Sequence, residues 1–186
     1  MTMELSIKNF FGIKKNENQW ERVESFDERW KDRIRQMSSY ISPNARSIMD
    51  LGCGLMWLRE FINDDCQYYG VDYVYRGGGS YLIDFNKKQF LEKNVDACFV
   101  SGCLEYVSDY RWFVKNISKF SNECILSYCT LDRFSNKKER RLLSWVNHLT
   151  DEELVNLFIQ EGMKVIKKDI TATNNSIYVF KHGNIQ

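Results

Sequence analysis

A chain of 186 residues, 44% hydrophobic and 27% charged, has the makeup of a globular protein and the length of one domain with a substantial core. Its 26 Lys and Arg against 25 Asp and Glu leave a net charge of +1, so no global field argues for nucleic acid or an anionic membrane as partner. No apolar run approaches the roughly 20 residues of a membrane helix, and the opening M-T-M-E-L-S-I-K lacks the apolar region of a signal peptide.

Residues 1–19 mix apolar and polar residues without a clear period, and Phe10-Phe11 are candidates for packing on the body or for an arm. From Ser25 a helix is expected, with Ser25 and Glu28 as a capping box. Its apolar stripe is Phe26, Trp30, Ile34, Met37 and Ile41, and Pro43 ends it. The segment Arg46 to Met56, R-S-I-M-D-L-G-C-G-L-M, follows. A short apolar run closes in Asp50, Gly52 and Gly54 make a tight turn, and Leu55, Leu58, Phe61 and Ile62 continue with helical period. This reads as strand, glycine turn and helix. Glycines at such a turn let the backbone approach a ligand closely. A dinucleotide site wants G-x-G-x-x-G/A, and Trp57 at the third position argues against a nicotinamide cofactor.

The second strand, Tyr68 to Asp72, also closes in a carboxylate, 18 positions after Gly54. At that spacing an acid at a strand end can accept hydrogen bonds from both hydroxyls of a ribose. A loop, Arg76 to Ser80, carries three glycines with no G-K-[ST] behind them, which leaves a plain connector. Tyr81 to Asp84 is expected as a third strand and Val95 to Ser101 as a fourth. Ser108 or Asp109 then caps a helix with the face Tyr110, Phe113, Val114, Ile117 and Phe120. Cys124 to Tyr128 is the fifth strand.

Beyond it, Asp132 to Arg141 is basic, either a solvated face or a contact for an anionic substrate. Thr150 and Glu153 form a second capping box, opening a helix with Leu154, Val155, Phe158 and Ile159 that stops at Gly162. Met163 to Ile170 and Ser176 to Lys181 read as an antiparallel hairpin. Six cysteines without a C-x-x-C pair point to buried free thiols, to no metal site, and to a reducing cytoplasm.

The pattern D-x-G-x-G at Asp50 to Gly54, with its carboxylate closing the strand, resembles the first motif of the class I S-adenosylmethionine-dependent methyltransferases. The resemblance covers roughly Arg46 to Lys181. It implies an α/β fold: a three-layer, Rossmann-like, seven-stranded, mostly parallel sheet with a terminal antiparallel hairpin and N-terminal helices. It implies S-adenosylmethionine as cofactor and S-adenosylhomocysteine as product, held by Asp50, Gly52, Cys53, Gly54, Asp72, Tyr73, Asp84, Phe85 and Ser101. Asp84 would accept from the adenine amino group, and the Phe85 backbone N–H or ring would meet the same base. Residues 1–45 become a possible lid on a methyltransferase domain spanning 46–186.

Met56 stands where that family often has a third glycine, and Tyr106 where a histidine is common. For a hydroxyl acceptor His148 is the expected base, with Tyr106 and Glu105 as positioning alternates. The expected acceptor is a small molecule, with an oxygen on a sugar or other polar metabolite preferred. D-L-G-C-G-L-M-W-L-R and W-V-N-H-L-T are similar to methyltransferases of bacterial polysaccharide-type gene clusters. The alternative is a catalytically inactive binding or partner module, kept open by Met56 and Tyr106.

Overall fold

The computed structural model describes residues 19–183; Phe10 and Phe11 lie outside them. Seven strands make one sheet in the order β3-β2-β1-β4-β5-β7-β6. The strands β1 (Ser47–Leu51), β2 (Gln67–Asp72), β3 (Tyr81–Leu82), β4 (Val95–Ser101) and β5 (Ser121–Tyr128) run parallel. β7 (Ser176–His182) enters antiparallel between β5 and β6 (Met163–Ile170). β1 pairs with β2 on one side and β4 on the other, so the strand order reverses there and opens a crevice at their carboxyl ends.

The sequence forms these elements for local reasons. Ala97, Cys98, Phe99 and Val100 of β4 are all buried, because both faces of a central parallel strand are covered. On one face lie the helices α2 (Tyr110–Phe120) and α4 (Asp151–Gln160). α2 starts where the Asp109 carboxylate accepts the Trp112 N–H at 3.0 Å, and α4 starts with the Thr150–Glu153 capping box. Phe113, Val114, Ile117, Leu154 and Phe158 pack there with Met49, Leu51, Cys98 and Val100. Truncating a ring as buried as Phe113 to alanine costs about 3–5 kcal/mol in such cores. The other face is thinner. The helix α1 (Trp30–Ser38) places Met37 and Ile34 against Ile48, Leu58, Ala97, Phe99 and Ile125. The cysteines are free thiols, with Cys53, Cys98, Cys124 and Cys129 buried. Among the described residues no helix is long and apolar enough to cross a membrane.

Four expectations need correction. The first helix begins at Trp30 and not at Ser25, which sits in a single 3-10 turn (Val23–Ser25) without a capping box. Asp27 instead organises the entry, accepting the Arg29 N–H on its carboxylate and the Trp30 N–H on its carbonyl. The chain leaves helical geometry there because the Phe26 ring is held over Gly54. The helix expected after the glycine turn is a single 3-10 turn, Trp57–Glu60, because the chain turns back at Asn63–Cys66 to enter β2. The third strand stops at Leu82, and Asp84 caps a 3-10 turn, Phe85–Lys87. Lastly, the basic segment is no simple solvated face. It holds the short helix α3 (Lys137–Leu142), and Arg140 on it is fully buried.

Candidate functional site at the carboxyl edge of the sheet

The glycine turn follows β1 at the reversal point. Gly52 and Gly54 have φ of +77° and +50°, where a side chain is strained. A Cβ on Gly52 would lie 2.6 Å from Cys103 Sγ, and one on Gly54 would lie 2.5 Å from the Phe26 ring. The Gly52 and Cys53 N–H groups donate to the Val71 carbonyl at 2.8 and 3.1 Å, tying the turn to β2. Met56, in place of a third glycine, adopts the left-handed conformation that glycine enters freely (φ 57°, ψ 31°).

Asp72 closes the turn from the neighbouring strand. Its Oδ2 accepts the Gly54 N–H at 2.9 Å, its Oδ1 accepts the Val74 N–H at 3.0 Å, and Arg76 Nη2 stands 3.8 Å away. Each carboxylate oxygen keeps acceptor capacity. Asp50 is buried beside it and accepts the Tyr68 O–H at 2.6 Å. Gly70 makes room for that ring, since a Cβ there would meet Tyr68 at 3.0 Å. Burial pushes the Asp50 carboxyl up to about 7, with the Tyr68 hydrogen bond opposing and the charge of Asp72 adding. The Cys53 thiol turns inward toward Gly70, leaving only its backbone on the turn. Tyr73 is partly exposed, its phenol pushed up to about 12 by burial of its inner part and by Asp72.

Asp84 Oδ1 accepts the Asn86 N–H at 3.0 Å. The Phe85 ring goes to the core, 4.7 Å from Phe113, while its N–H has no hydrogen-bond partner among the described residues. Of the two ways Phe85 was expected to meet a base, the ring is packed in the core and the backbone N–H stays open.

On the β4 side, Ser101 Oγ accepts Arg33 Nε at 3.0 Å. A 3-10 turn, Leu104–Tyr106, follows. Glu105 is buried; Oε1 accepts the Cys129 N–H at 3.0 Å, while Oε2 is buried without a hydrogen-bond partner. Burial raises its pKa, opposed by the Cys129 hydrogen bond and by Arg33 and Arg140. Tyr106 O–H accepts from Trp145 Nε1 at 3.1 Å, and its ring meets Trp20 edge-on at 5.4 Å.

His148 is set in a different network. Arg140 Nε donates to His148 Nδ1 at 3.1 Å, so the ring proton resides on Nε2. Burial lowers the His148 pKa, helped by Arg140, Arg141 and Lys137. Arg140 also donates through Nη1 to the carbonyls of Cys129, Thr130 and Phe134 (2.7, 3.3 and 3.2 Å) and through Nη2 to Tyr128 O–H. It clamps the loop that leaves β5.

Sequence reasoning gave no role to Arg33, Arg76 or Trp20 and left Arg140 between a solvated face and an anion contact. The one signal near them is Trp145, whose ring stacks on the Arg140 guanidinium at 4.7 Å. Trp20 and Phe26 lie over the site: Arg76 Nη2 donates to the Trp20 carbonyl at 2.5 Å, and its guanidinium stands 5.1 Å from the Phe26 ring centre.

Glycine turn, strand-end carboxylates and a mostly parallel sheet with an antiparallel β5-β7-β6 end define the Rossmann-like methyltransferase fold. Among solved structures, the chain is similar to the putative methyltransferase of Haloferax volcanii in complex with the Trm112 methyltransferase activator. The TM-score is 0.68 at 13% identity, over 84% of this chain and 90% of that one. It is similar to the Burkholderia thailandensis 1,6-didemethyltoxoflavin-N1-methyltransferase, solved with its substrate and S-adenosylhomocysteine (0.66, 13% identity, 97% and 88% covered). It is also similar to magnesium protoporphyrin IX methyltransferase from Synechocystis PCC 6803, solved with S-adenosylhomocysteine (0.65, 11% identity, 97% and 94% covered). No family model and no curated protein matches the sequence.

Proposed function

We propose that this chain is an S-adenosylmethionine-dependent methyltransferase with a small-molecule acceptor. The observation that carries the reading is the link between Gly54 and Asp72: a left-handed glycine turn at the strand-order reversal, hydrogen-bonded to a strand-end carboxylate that retains acceptor capacity. The fold's solved relatives that hold S-adenosylhomocysteine support the same cofactor. Asp72 would hold the ribose hydroxyls, with Tyr73 beside it. The Phe85 N–H and Asp84 would hold the adenine edge. The backbone of Gly52, Cys53 and Gly54, with Asp50 and Ser101, would hold the aminoacyl end.

The bound cofactor supplies an electrophilic methyl group on a sulfonium. The protein's share is to orient the acceptor and, for a hydroxyl, to take its proton. Glu105 is the better base. Its Oε2 lacks a partner and burial raises its pKa, whereas the His148 lone pair already accepts from Arg140. Tyr106 would position the acceptor, an oxygen on a sugar or other polar metabolite. Residues 1–45 would serve as the lid, an assignment supported by Trp20 and Phe26 over the site. A cytoplasmic setting agrees with the free thiols.

Calorimetry with S-adenosylmethionine and S-adenosylhomocysteine tests the reading. Micromolar binding of both, weakened at least tenfold in Asp72→Asn, is the expected result. No binding to the wild-type protein would leave the non-catalytic partner module as the better account.

A further inference from the structure

The carboxyl edge contains a cation that the binding scheme above does not use. Arg33 lies on α1, with its guanidinium flat against Gly102: a Cβ there would sit 2.9 Å from Nη2 and 3.3 Å from Nη1. Its Nε is held by Ser101 Oγ at 3.0 Å, which fixes the fork in place. Neither Nη has a hydrogen bond among the described residues, and no carboxylate lies within ion-pair distance of Arg33 there. Four N–H donors of a partly desolvated, rigid fork are therefore open at the end of β4, one residue from the Cys103 that abuts Gly52.

The local charge count points the same way. Two buried or half-buried cations, Arg33 and Arg140, face a single buried carboxylate, Glu105, which pairs directly with neither. Asp72 already has Arg76, and Asp50 is held near neutrality by burial. Burial pulls the Arg33 pKa down, with Glu105 pulling against it, as expected for a cation lacking a full partner. A charge partly withdrawn from water gains from a partner. A purely structural role would not need a guanidinium here, since one bond to Ser101 and a distant stack on Trp30 (5.9 Å) would be served by a smaller, neutral side chain.

We infer that Arg33 is a carboxylate-binding residue of the site, its two free Nη groups taking a carboxylate side-on between α1 and the Ser101–Gly102 end of β4. Guanidinium and carboxylate match as paired parallel hydrogen bonds, which lysine cannot reproduce. The carboxylate has two possible sources, the aminoacyl tail of the cofactor or an acidic group on the acceptor. The inference rests on the methyltransferase reading and adds to it the residue that reads the anion.

Binding of S-adenosylmethionine and of decarboxylated S-adenosylmethionine, which keeps the sulfonium and amine, is measured by calorimetry on the wild-type protein, Arg33→Gln and Arg33→Lys. If the cofactor is the source, Arg33→Gln weakens S-adenosylmethionine by about 10-fold to 100-fold and leaves the decarboxylated compound within about twofold. Arg33→Lys falls between. If the acceptor is the source, Arg33→Gln leaves both cofactors unchanged but abolishes the binding of benzoate, salicylate or glucuronate that the wild-type protein saturated with S-adenosylhomocysteine shows. Thermal unfolding of the variants within a few degrees of wild type assures that folding is not being read. Wild-type affinity for both cofactors in Arg33→Gln, with no wild-type carboxylate binding lost, overturns the inference while the methyltransferase reading stands. Failure of the wild-type protein to bind either cofactor overturns that reading and the inference with it.

Discussion

Arg140→Met tests whether the buried guanidinium organises the loop after β5. Methionine fills much of the same volume but offers no donor, so the carbonyls of Cys129, Thr130 and Phe134 and the Tyr128 hydroxyl each lose a hydrogen bond. A buried acceptor left without its donor costs about 1–3 kcal/mol. Relaxation and water entry offset part of the sum, and removing a buried cation relieves its desolvation cost. We expect a net loss of about 3–5 kcal/mol, at the upper end for single substitutions. For a chain of this size that lowers Tm by about 6–20 °C, scaling at roughly 2–4 °C per kcal/mol.

Chemical denaturation followed by tryptophan fluorescence measures the change, and Trp145 against the guanidinium makes the probe local. The substitution has a second readout. Arg140 is among the charges that lower the His148 pKa, after burial itself, so the His148 titration followed by NMR should move up. A variant within about 1 kcal/mol of wild type with an unmoved His148 titration would refute the clamp.

The glycine turn gives a sharper steric test. Gly52→Ala places a Cβ 2.6 Å from Cys103 Sγ in a left-handed conformation, with an expected cost of about 2–4 kcal/mol, and adding Cys103→Gly should recover the overpacking part. Denaturation midpoints of the two variants decide it, and equal losses would remove the Cys103 contact from the explanation. Asp50 makes a pH prediction. Its pKa rises from 3.8 unfolded to about 7 folded, so between about pH 4 and pH 7 the native state retains a proton the unfolded state has released. Its contribution therefore weakens as pH rises through that window and levels off above it. Asp50→Asn should flatten the stability profile there and gain most, relative to wild type, at about pH 8; parallel profiles would show that the carboxyl ionises normally.

Much of this was legible in the sequence because it depends on local pattern. Val95–Ser101 is bounded as read, the Asp109 and Thr150 caps form, and the terminal hairpin closes the sheet. Asp50, Gly52, Gly54 and Asp72 come together because strand ends and a left-handed turn leave a spacing signature. What failed depends on tertiary partners. Leu55 to Ile62 has helical period, yet the chain must reach β2 within a few residues, and one 3-10 turn suffices to bury Trp57 and Leu58. Arg140 in a run of charges looks solvated, and only the carbonyls that converge on it explain its burial. Arg33 sits between stripe residues of α1, and no periodicity announces that its neighbour is Ser101, 68 positions away.

The uneven covering of the sheet has a dynamic consequence. Full helices follow β4 and β5, so the β4-β5-β7-β6 half is sealed by α2 and α4. The connections on the β1-β2-β3 side carry only 3-10 turns and the glycine loop. Amide hydrogens of β2 and β3 should therefore exchange with solvent through local opening well before those of β4 and β5. The crevice lies on the seam between a firm half and a loose one. A ligand gripping both halves would draw its largest gain in protection from the loose wing, so the site's occupancy would be written most clearly far from α2, in the slowing of Gln67–Asp72.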